Sequence, residues 1–302
     1  MRRDADLLLA ALRPLSIDDH SEFDDFTSKY PPYSDFDFPS LWSWNVGGDF
    51  QWGLHLGCLF IRFADYETNK PFFTFLGSEN SDRMAKALLT LSRSLEWPEE
   101  LRLVPESCAQ FISDNDVCVV ESENNFDYIY EPIDHINYSG AKLKSHRGCL
   151  NGFYKKFANH TVIDIELSSK QTRSQMLGIW KKWENNKGYD IPNEARAFER
   201  FLSAHEHFNP CITGIEVNGD LAAFDVTVIG STGCGNSLFS KADIGFRGIN
   251  SVLSHEVAKQ LVARDCHVLN FEQDLGIPGL RQSKRSFAPR SYLKKFDVRW
   301  RA

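Results

Sequence analysis

The sequence predicts an α+β protein of two tandem lobes, each a mixed, mostly antiparallel sheet flanked by helices. Three observations carry that expectation. Strand-like and helix-like runs alternate, and the second half repeats the style of the first. The charge is split: residues 1–137 hold 10 Lys and Arg against 25 Asp and Glu, a net of −15, while 138–302 hold 24 against 16, a net of +8. In the second half Asn218-Gly219 separates two apolar runs, and Asn-Gly supplies the positive φ that a tight hairpin demands. The expected division is a divergent first lobe over 1–137 and, over 138–302, a bridge at 138–157 followed by a second lobe carrying the site.

Composition bounds the function. Hydrophobic residues make up 42% and aromatic residues 13% of the 302, enough for packed cores, which excludes global disorder. A net charge of −7 gives no global sign of nucleic-acid binding. The split charge leaves two readings, an acidic half that is solvated surface and a basic half that faces something anionic. The seven cysteines are scattered with no Cys-x-x-Cys pair, so no zinc or redox signature is present. Scattered free thiols suit a reducing cytosol, and a cytoplasmic location is expected. The run LLLAAL at 7–12 is too short for a signal-peptide core, and no run approaches the ~20 apolar residues of a membrane span. His205 and His207 fall two apart on a predicted helix and diverge, so they make no metal site. No metal or cofactor is expected.

In the first half, 16–30 reads as a helix capped by Ser16, and 38–44 is a short aromatic segment. Residues 52–64 and 70–77 read as strands, 81–95 as a helix, and 101–105, 118–122 and 126–132 as strands. In the second half 161–167 alternates as a strand, 168–188 is an amphipathic helix ending at Gly188, and 193–208 is another helix. The hairpin covers 211–230, followed by a strand at 236–244, a helix at 248–265 and a strand at 267–272. Strand, two helices, antiparallel strands, helix, strand is the order of a Gcn5-related acyltransferase. In that fold the segment after the central strand brings backbone amides at a helix N-terminus to the ligand. Here it is Gly245-Phe-Arg247-Gly248-Ile-Asn-Ser251, which departs from the Arg/Gln-x-x-Gly-x-Gly/Ala pattern of acetyl-CoA binders.

Five segments, FPSLWSW (38–44), NNFDYIY (124–130), YSGAKLKSHRGCLNGFYKKF (138–157), SKAD (240–243) and NFEQDLGIPGLRQSKRSFAP (270–289), occur in the order of one family. Together they resemble soluble relatives of the phosphatidylglycerol lysyltransferase C-terminal domain. The resemblance implies two Gcn5-related lobes in tandem and transfer of an amino acid from aminoacyl-tRNA. The sequence departs from the family run Gly-Lys-Lys-x-His-x-Lys-Arg-Asn-His. Lys142 and Arg147 are kept, Lys144 stands for the His, His146 for a Lys, and Gly148-Cys149 for Asn-His. Ser240 replaces the Glu often found before Lys-Ala. These changes point to an altered acceptor or donor.

Moving an aminoacyl ester needs orientation, proton removal and oxyanion stabilisation, because the donor is already activated. Glu272 and Asp274 follow the last central strand, where such a cleft opens. Either carboxylate can bind the donor α-amino group or act as general base, and Asp274 can instead cap the turn at Gly276. Lys241 lies within a strand, as an oxyanion donor or an exposed charge, and Asp243 is expected on its face, where a salt-bridged pair is the plain alternative. Three basic groups, Lys142–Lys144–Arg147, Arg281–Lys284–Arg285 and Lys294–Lys295, are of the kind a phosphate-rich ligand needs, or are solvated charge. Asn270 in the same motif completes the expected substrate-binding set with Lys142, Lys144, Arg147, Asp243, Arg281 and Lys284.

Three functions remain open. The first is an aminoacyltransferase using aminoacyl-tRNA, with a small molecule, peptide or lipid headgroup as acceptor. The second is an acyl-CoA-dependent N-acyltransferase, and the third a non-catalytic module binding RNA or anionic lipid. Peripheral contact with anionic lipid is compatible with all three.

Overall fold

The structure, a computed structural model, describes residues 2–65, 68–113, 115–186 and 191–301. The chain divides into two compact units, Met1–Asp127 with Leu293–Ala302, and Tyr128–Tyr292.

The first unit starts with α1 (Arg2–Ala11), β1 (Arg13–Pro14), α2 (His20–Thr27) and α3 (Phe38–Trp44). It continues through β2 (Gln51–His55), β3 (Cys58–Ala64), β4 (Pro71–Leu76), α4 (Ser81–Ser94), β5 (Glu100–Pro105), α5 (Glu106–Ala109) and β6 (Val117–Glu121). The strand expected over 52–64 is two antiparallel strands, because Leu56 and Gly57 both take positive φ (54° and 73°) and turn the chain between β2 and β3. The aromatic segment at 38–44 is helix α3, whose N-terminus is capped by the Asp37 side chain accepting from the Ser40 amide at 3.0 Å. Ser16 caps a short 3₁₀ turn, and α2 comes directly after it.

Next come β7 (Asp127–Tyr130), α6 (Pro132–Asn137), α7 (Lys144–Lys156), β8 (His160–Asp164), α8 (Lys170–Asn186) and α9 (Glu194–Ala204). They are followed by β9 (Cys211–Val217), β10 (Asp220–Ile229), β11 (Cys234–Ala242), α10 (Ile249–Ala263), β12 (Val268–Asn270), α11 (Pro278–Ser286), β13 (Ser291–Leu293) and finally β14 (Lys295–Trp300). Gly188, the expected end of α8, lies outside the described residues. Among the described residues the strands form two seven-stranded sheets, ordered β1-β2-β3-β4-β5-β14-β6 and β13-β7-β12-β11-β10-β9-β8. Both are mixed and carry helices, so the class is α+β as expected.

The expected boundary at 137/138 falls between α6 and α7, within the second unit. Residues 128–137 supply that unit with α6 and most of β7, which pairs antiparallel with β12 through Leu269–Tyr130 and Asn270–Ile129. Residues 138–157 are mostly helix α7 rather than a bridge. The chain's last strand, β14, inserts between β5 and β6 of the first sheet. Sequence alternation marks a strand but not the sheet it joins.

That return explains Lys295, expected in a surface basic group. Its side chain is fully buried, and its ammonium donates to Asp127 at 2.7 Å and pairs with Asp35. Ser34 joins the network, its amide and hydroxyl donating to Asp127 at 2.9 and 2.7 Å. Burial pushes the Asp35 carboxyl up, against the pull of Lys295. Lys294 pairs with Glu121 at 2.6 Å. Neither lysine belongs to a phosphate site.

In the second unit the Asn218-Gly219 turn takes φ of 58° and 87°, and β9, β10 and β11 run antiparallel as expected. Between β10 and β11 the register shifts. Thr227 faces Ser237 while Val226 faces Phe239, so Leu238 is an extra, bulged residue. Helix α10 then crosses over and returns the chain to β12, parallel to β11. The core on this face gathers Ala223, Ala242, Val252, Val257, Leu261 and Leu269 with Phe153 of α7.

Candidate functional site

The parallel pair β11–β12 is short. Cys234, Gly235 and Asn236 face Val268, Leu269 and Asn270, and there the pairing stops. Strand β11 continues for six residues, Ser237–Ala242, without β12 beside it. A parted parallel pair bares main-chain groups and gives a ligand a place between strands.

The segment after β12 is held from both sides. The Glu272 amide donates to the Asn270 side chain at 2.7 Å, an Asx turn. The main chain of Tyr128 in β7 donates to the Glu272 carbonyl at 3.2 Å and accepts from the Phe271 amide at 3.0 Å. Glu272 takes φ of 56°, unusual for a residue with a side chain, so these bonds fix a conformation the residue would not choose alone. The residue is partly exposed.

Asp274 is the anchor of the turn. It is 1% exposed and accepts from Tyr128 Oη at 2.6 Å, from Arg281 Nε and Nη2 at 2.7 and 2.8 Å, and from the Gly276 amide at 2.8 Å. Burial alone would raise its pKa, but the Arg281 guanidinium and the Tyr128 hydroxyl outweigh burial and hold it below the usual carboxylate range. A carboxylate so engaged has little left for a substrate, so the turn-capping reading of Asp274 describes it.

Arg281 and Lys284 share a face of α11, as their spacing predicts, but the face looks inward. Arg281 is spent on Asp274, and Lys284 donates to the Phe271 carbonyl and to the Gln273 carbonyl, the latter at 2.7 Å. Both therefore brace the 271–276 turn. Arg285 lies on the outside of α11, beside the Tyr128 hydroxyl.

Residues 53–299 match the family described as phosphatidylglycerol lysyltransferase, C-terminal. The chain belongs to that family. Three solved structures share its fold. A conserved protein of unknown function from Bacteroides thetaiotaomicron is 22% identical, with TM-score 0.84 over 96% of this chain and 99% of that one. L-PGS from Bacillus licheniformis is 12% identical, with TM-score 0.63 over 92% and 91%. A tandem GNAT protein from the clavulanic acid biosynthesis pathway is 10% identical, with TM-score 0.51 over 96% and 98%. No curated protein matches the chain. Membership of the phosphatidylglycerol lysyltransferase C-terminal family makes the chain an acyltransferase-type transferase. Among the described residues no helix is long and apolar enough to cross a membrane.

The other expected site residues of this family member are placed as follows. Lys241 is 5% exposed on β11. Its ammonium donates to Glu194 of α9 at 3.0 Å and sits 4.4 and 3.9 Å from the ring centroids of Trp180 and Trp183. An ammonium with a carboxylate and two indole faces is a packing post for α8 and α9. Asp243 does not pair with it. The strand ends at Ala242, and Asp243 turns away to accept from the Gly245 amide at 3.0 Å, with Lys182 at 3.5 Å.

The first basic group sits at the start of α7, with Lys142 before the helix and Lys144 and Arg147 in its first turn. Lys142 and Lys144 are exposed and make no ion pair among the described residues, whereas Arg147 donates to the carbonyls of Tyr138 and Gly140 and clamps the turn before the helix. Residues 135–163 contain five Lys and Arg and no Asp or Glu. The opposite face of α7 closes the start of α10. A Cβ added to Gly248 would lie 2.7 Å from the Cys149 carbonyl oxygen, and His146 bonds Ser251 at 2.9 Å. The first α10 amides are also taken, Ile249 by the Phe246 carbonyl and Ser251 by Gly248, each at 3.0 Å. The helix N-terminus that would cradle a pyrophosphate is packed on one side by α7.

The sequence reading missed two residues. Asp225 on β10 spans the bulge, accepting from Thr227 at 2.6 Å and Ser237 at 2.7 Å, and burial pushes its carboxyl up. An Asp inside the apolar run LAAFDVTVIG was the available signal. The second is Asn236, for which no pattern in the sequence gives a signal.

Proposed function

We propose that the chain is an aminoacyltransferase that takes its group from aminoacyl-tRNA and passes it to an amine or hydroxyl acceptor. The observation that carries this reading is the parting of β11 and β12 beside Glu272, in a unit whose α10 N-terminus is packed under α7. The first feature supplies a polar place for an activated carbonyl. The second disfavours a coenzyme A pyrophosphate, and with it the acyl-CoA alternative. The exposed lysines on acid-free α7 suit a polyanionic donor, since neutralising phosphates releases counterions.

In this reading the acceptor nitrogen or oxygen attacks the ester carbonyl. A C–N or C–O bond forms, the bond to the ribose oxygen breaks, and the acceptor proton passes through Glu272 to that leaving oxygen. Asp274, Arg281 and Lys284 hold the turn that presents Glu272, and Asn270 fixes its amide. Tight placement of this kind supplies much of the rate when the donor is already activated.

The test is a thermal-shift comparison of a mixed aminoacyl-tRNA pool, acetyl-CoA and anionic vesicles, followed by transfer of labelled amino acid into a cell extract. A ligand at ~100 times its Kd adds about 2.7 kcal/mol of stability. Stabilisation by aminoacyl-tRNA with label in a new product is expected. Stabilisation by acetyl-CoA alone, or binding without transfer to any acceptor, contradicts the reading.

A further inference from the structure

The pair β11–β12 ends on two asparagines in register, Asn236 and Asn270. On neighbouring parallel strands, residues in register present their side chains on the same face. The two amides are used differently. Asn270 is fully buried, and its Oδ1 accepts from the Glu272 amide at 2.7 Å. Asn236 is 5% exposed, and its Oδ1 is buried with no hydrogen-bond partner among the described residues. On β10 it faces Val228, whose side chain has no donor, and on β12 it faces Asn270, yet its oxygen takes no hydrogen bond from either. A buried carbonyl oxygen without a donor costs stability, so its retention at the last paired position calls for a ligand.

We propose that Asn236 Oδ1 accepts an N–H of the donor's α-ammonium group, making Asn236 a substrate-binding residue for the aminoacyl moiety. This rests on the aminoacyl-transfer reading. Arg281 and Lys284 are committed to Asp274 and to the carbonyls of Phe271 and Gln273. The orphaned Asn236 oxygen is an acceptor, and an acceptor without a donor selects a ligand that brings N–H groups, most strongly charged ones.

The test uses the full chain and a panel of 3′-aminoacylamino-3′-deoxyadenosines covering the twenty amino acids, each with a free or an acetylated α-amino group. These are stable amide mimics of the donor end. The wild type is expected to bind at least one free-amine member and to lose about tenfold or more on acetylation. Asn236→Leu should weaken the free-amine form about ten- to hundredfold, the range of a hydrogen bond to a charged group, and leave the acetylated form unchanged. Its melting temperature should match or exceed the wild type, since the orphan acceptor is gone. Asn236→Asp, which keeps the acceptor and adds charge, should bind the free amine at least as tightly.

Equal binding by Asn236→Leu overturns the role of Asn236 and leaves the functional reading standing. A lowered melting temperature in Asn236→Leu, with Asn236→Asp no longer distinguishing free from acetylated amines, makes the oxygen a structural acceptor and also overturns it. A wild type that binds no member of the panel overturns the aminoacyl reading itself.

Discussion

The two units solve the same packing problem in opposite ways. Each has a strand, a crossover helix and a parallel strand: β4–α4–β5 in the first and β11–α10–β12 in the second. In the first the parallel register runs through Phe73 and Leu101, both fully buried, with Phe72, Phe75 and Leu76 beside them and Trp97 5.2 Å from the Phe73 ring. In the second the last paired position holds Asn236 and Asn270. One unit spends its crossover on a hydrophobic core, and the other keeps polar groups where its strands part. A shared fold therefore does not imply a shared task, and the site is argued from these side chains alone.

The comparison is broken most severely at Glu272. Glu272→Gln should cut transfer by ~10²–10⁴, the range for losing a general base, with the melting temperature nearly unchanged. Loss of fold instead would make Glu272 a structural residue.

A matched pair of substitutions sharpens the contrast in stability. Phe73→Ala should cost about 3–5 kcal/mol in urea unfolding, because it empties a closed core. Asn236→Leu should cost nothing. Equal costs would mean that both crossovers are packed alike.

The second unit should also be sensitive to acid. His135 is buried among Tyr130, Tyr138 and Phe287, with Nδ1 2.8 Å from the Ser254 hydroxyl. Burial pushes its imidazole down to about 4. A base whose folded pKa lies below its unfolded value favours the fold in its neutral form. Its stabilisation is complete above about pH 6.5 and is lost as pH falls from there towards 4, by about 3 kcal/mol. Burial lowers His146 too, in the same sense. His135→Phe should flatten the dependence of unfolding free energy on pH between 7 and 4; an unchanged slope would place the sensitivity elsewhere.

The smallest effect concerns the exposed lysines. Lys142→Ala with Lys144→Ala should lower the slope of log affinity for aminoacyl-tRNA against log salt by about one for each phosphate no longer neutralised. Arg147, tied to two carbonyls, is the wrong residue for that test. A slope that does not move would leave α7 as solvated surface.

Much of the fold was legible in the sequence because local rules set it. Asn218-Gly219 can hardly do other than turn a hairpin, and the helix–strand order of the second half comes from periodicity. The family was legible through 270–289, whose Asp274, Gly276 and Arg281 build one turn. Partners distant in the chain were not legible. Spacing puts Arg281 and Lys284 on one helix face but does not say whether that face looks out or in. Nothing near Lys241 announces Glu194, and nothing in 293–302 announces that β14 completes the first sheet. Asn236 was invisible for a related reason: its meaning lies in a hydrogen bond that is missing, which only packed coordinates reveal.

The central claim is that the parted strands of the second unit, and not their counterpart in the first, hold the aminoacyl group. Hydrogen exchange followed by mass spectrometry, with and without a mixed aminoacyl-tRNA pool, tests it most directly. Protection is expected in peptides covering 236–242 and 270–277, with 72–76 and 100–105 unchanged by the ligand. Ligand-dependent protection of 72–76 and 100–105, with 236–242 and 270–277 exchanging as before, would contradict it.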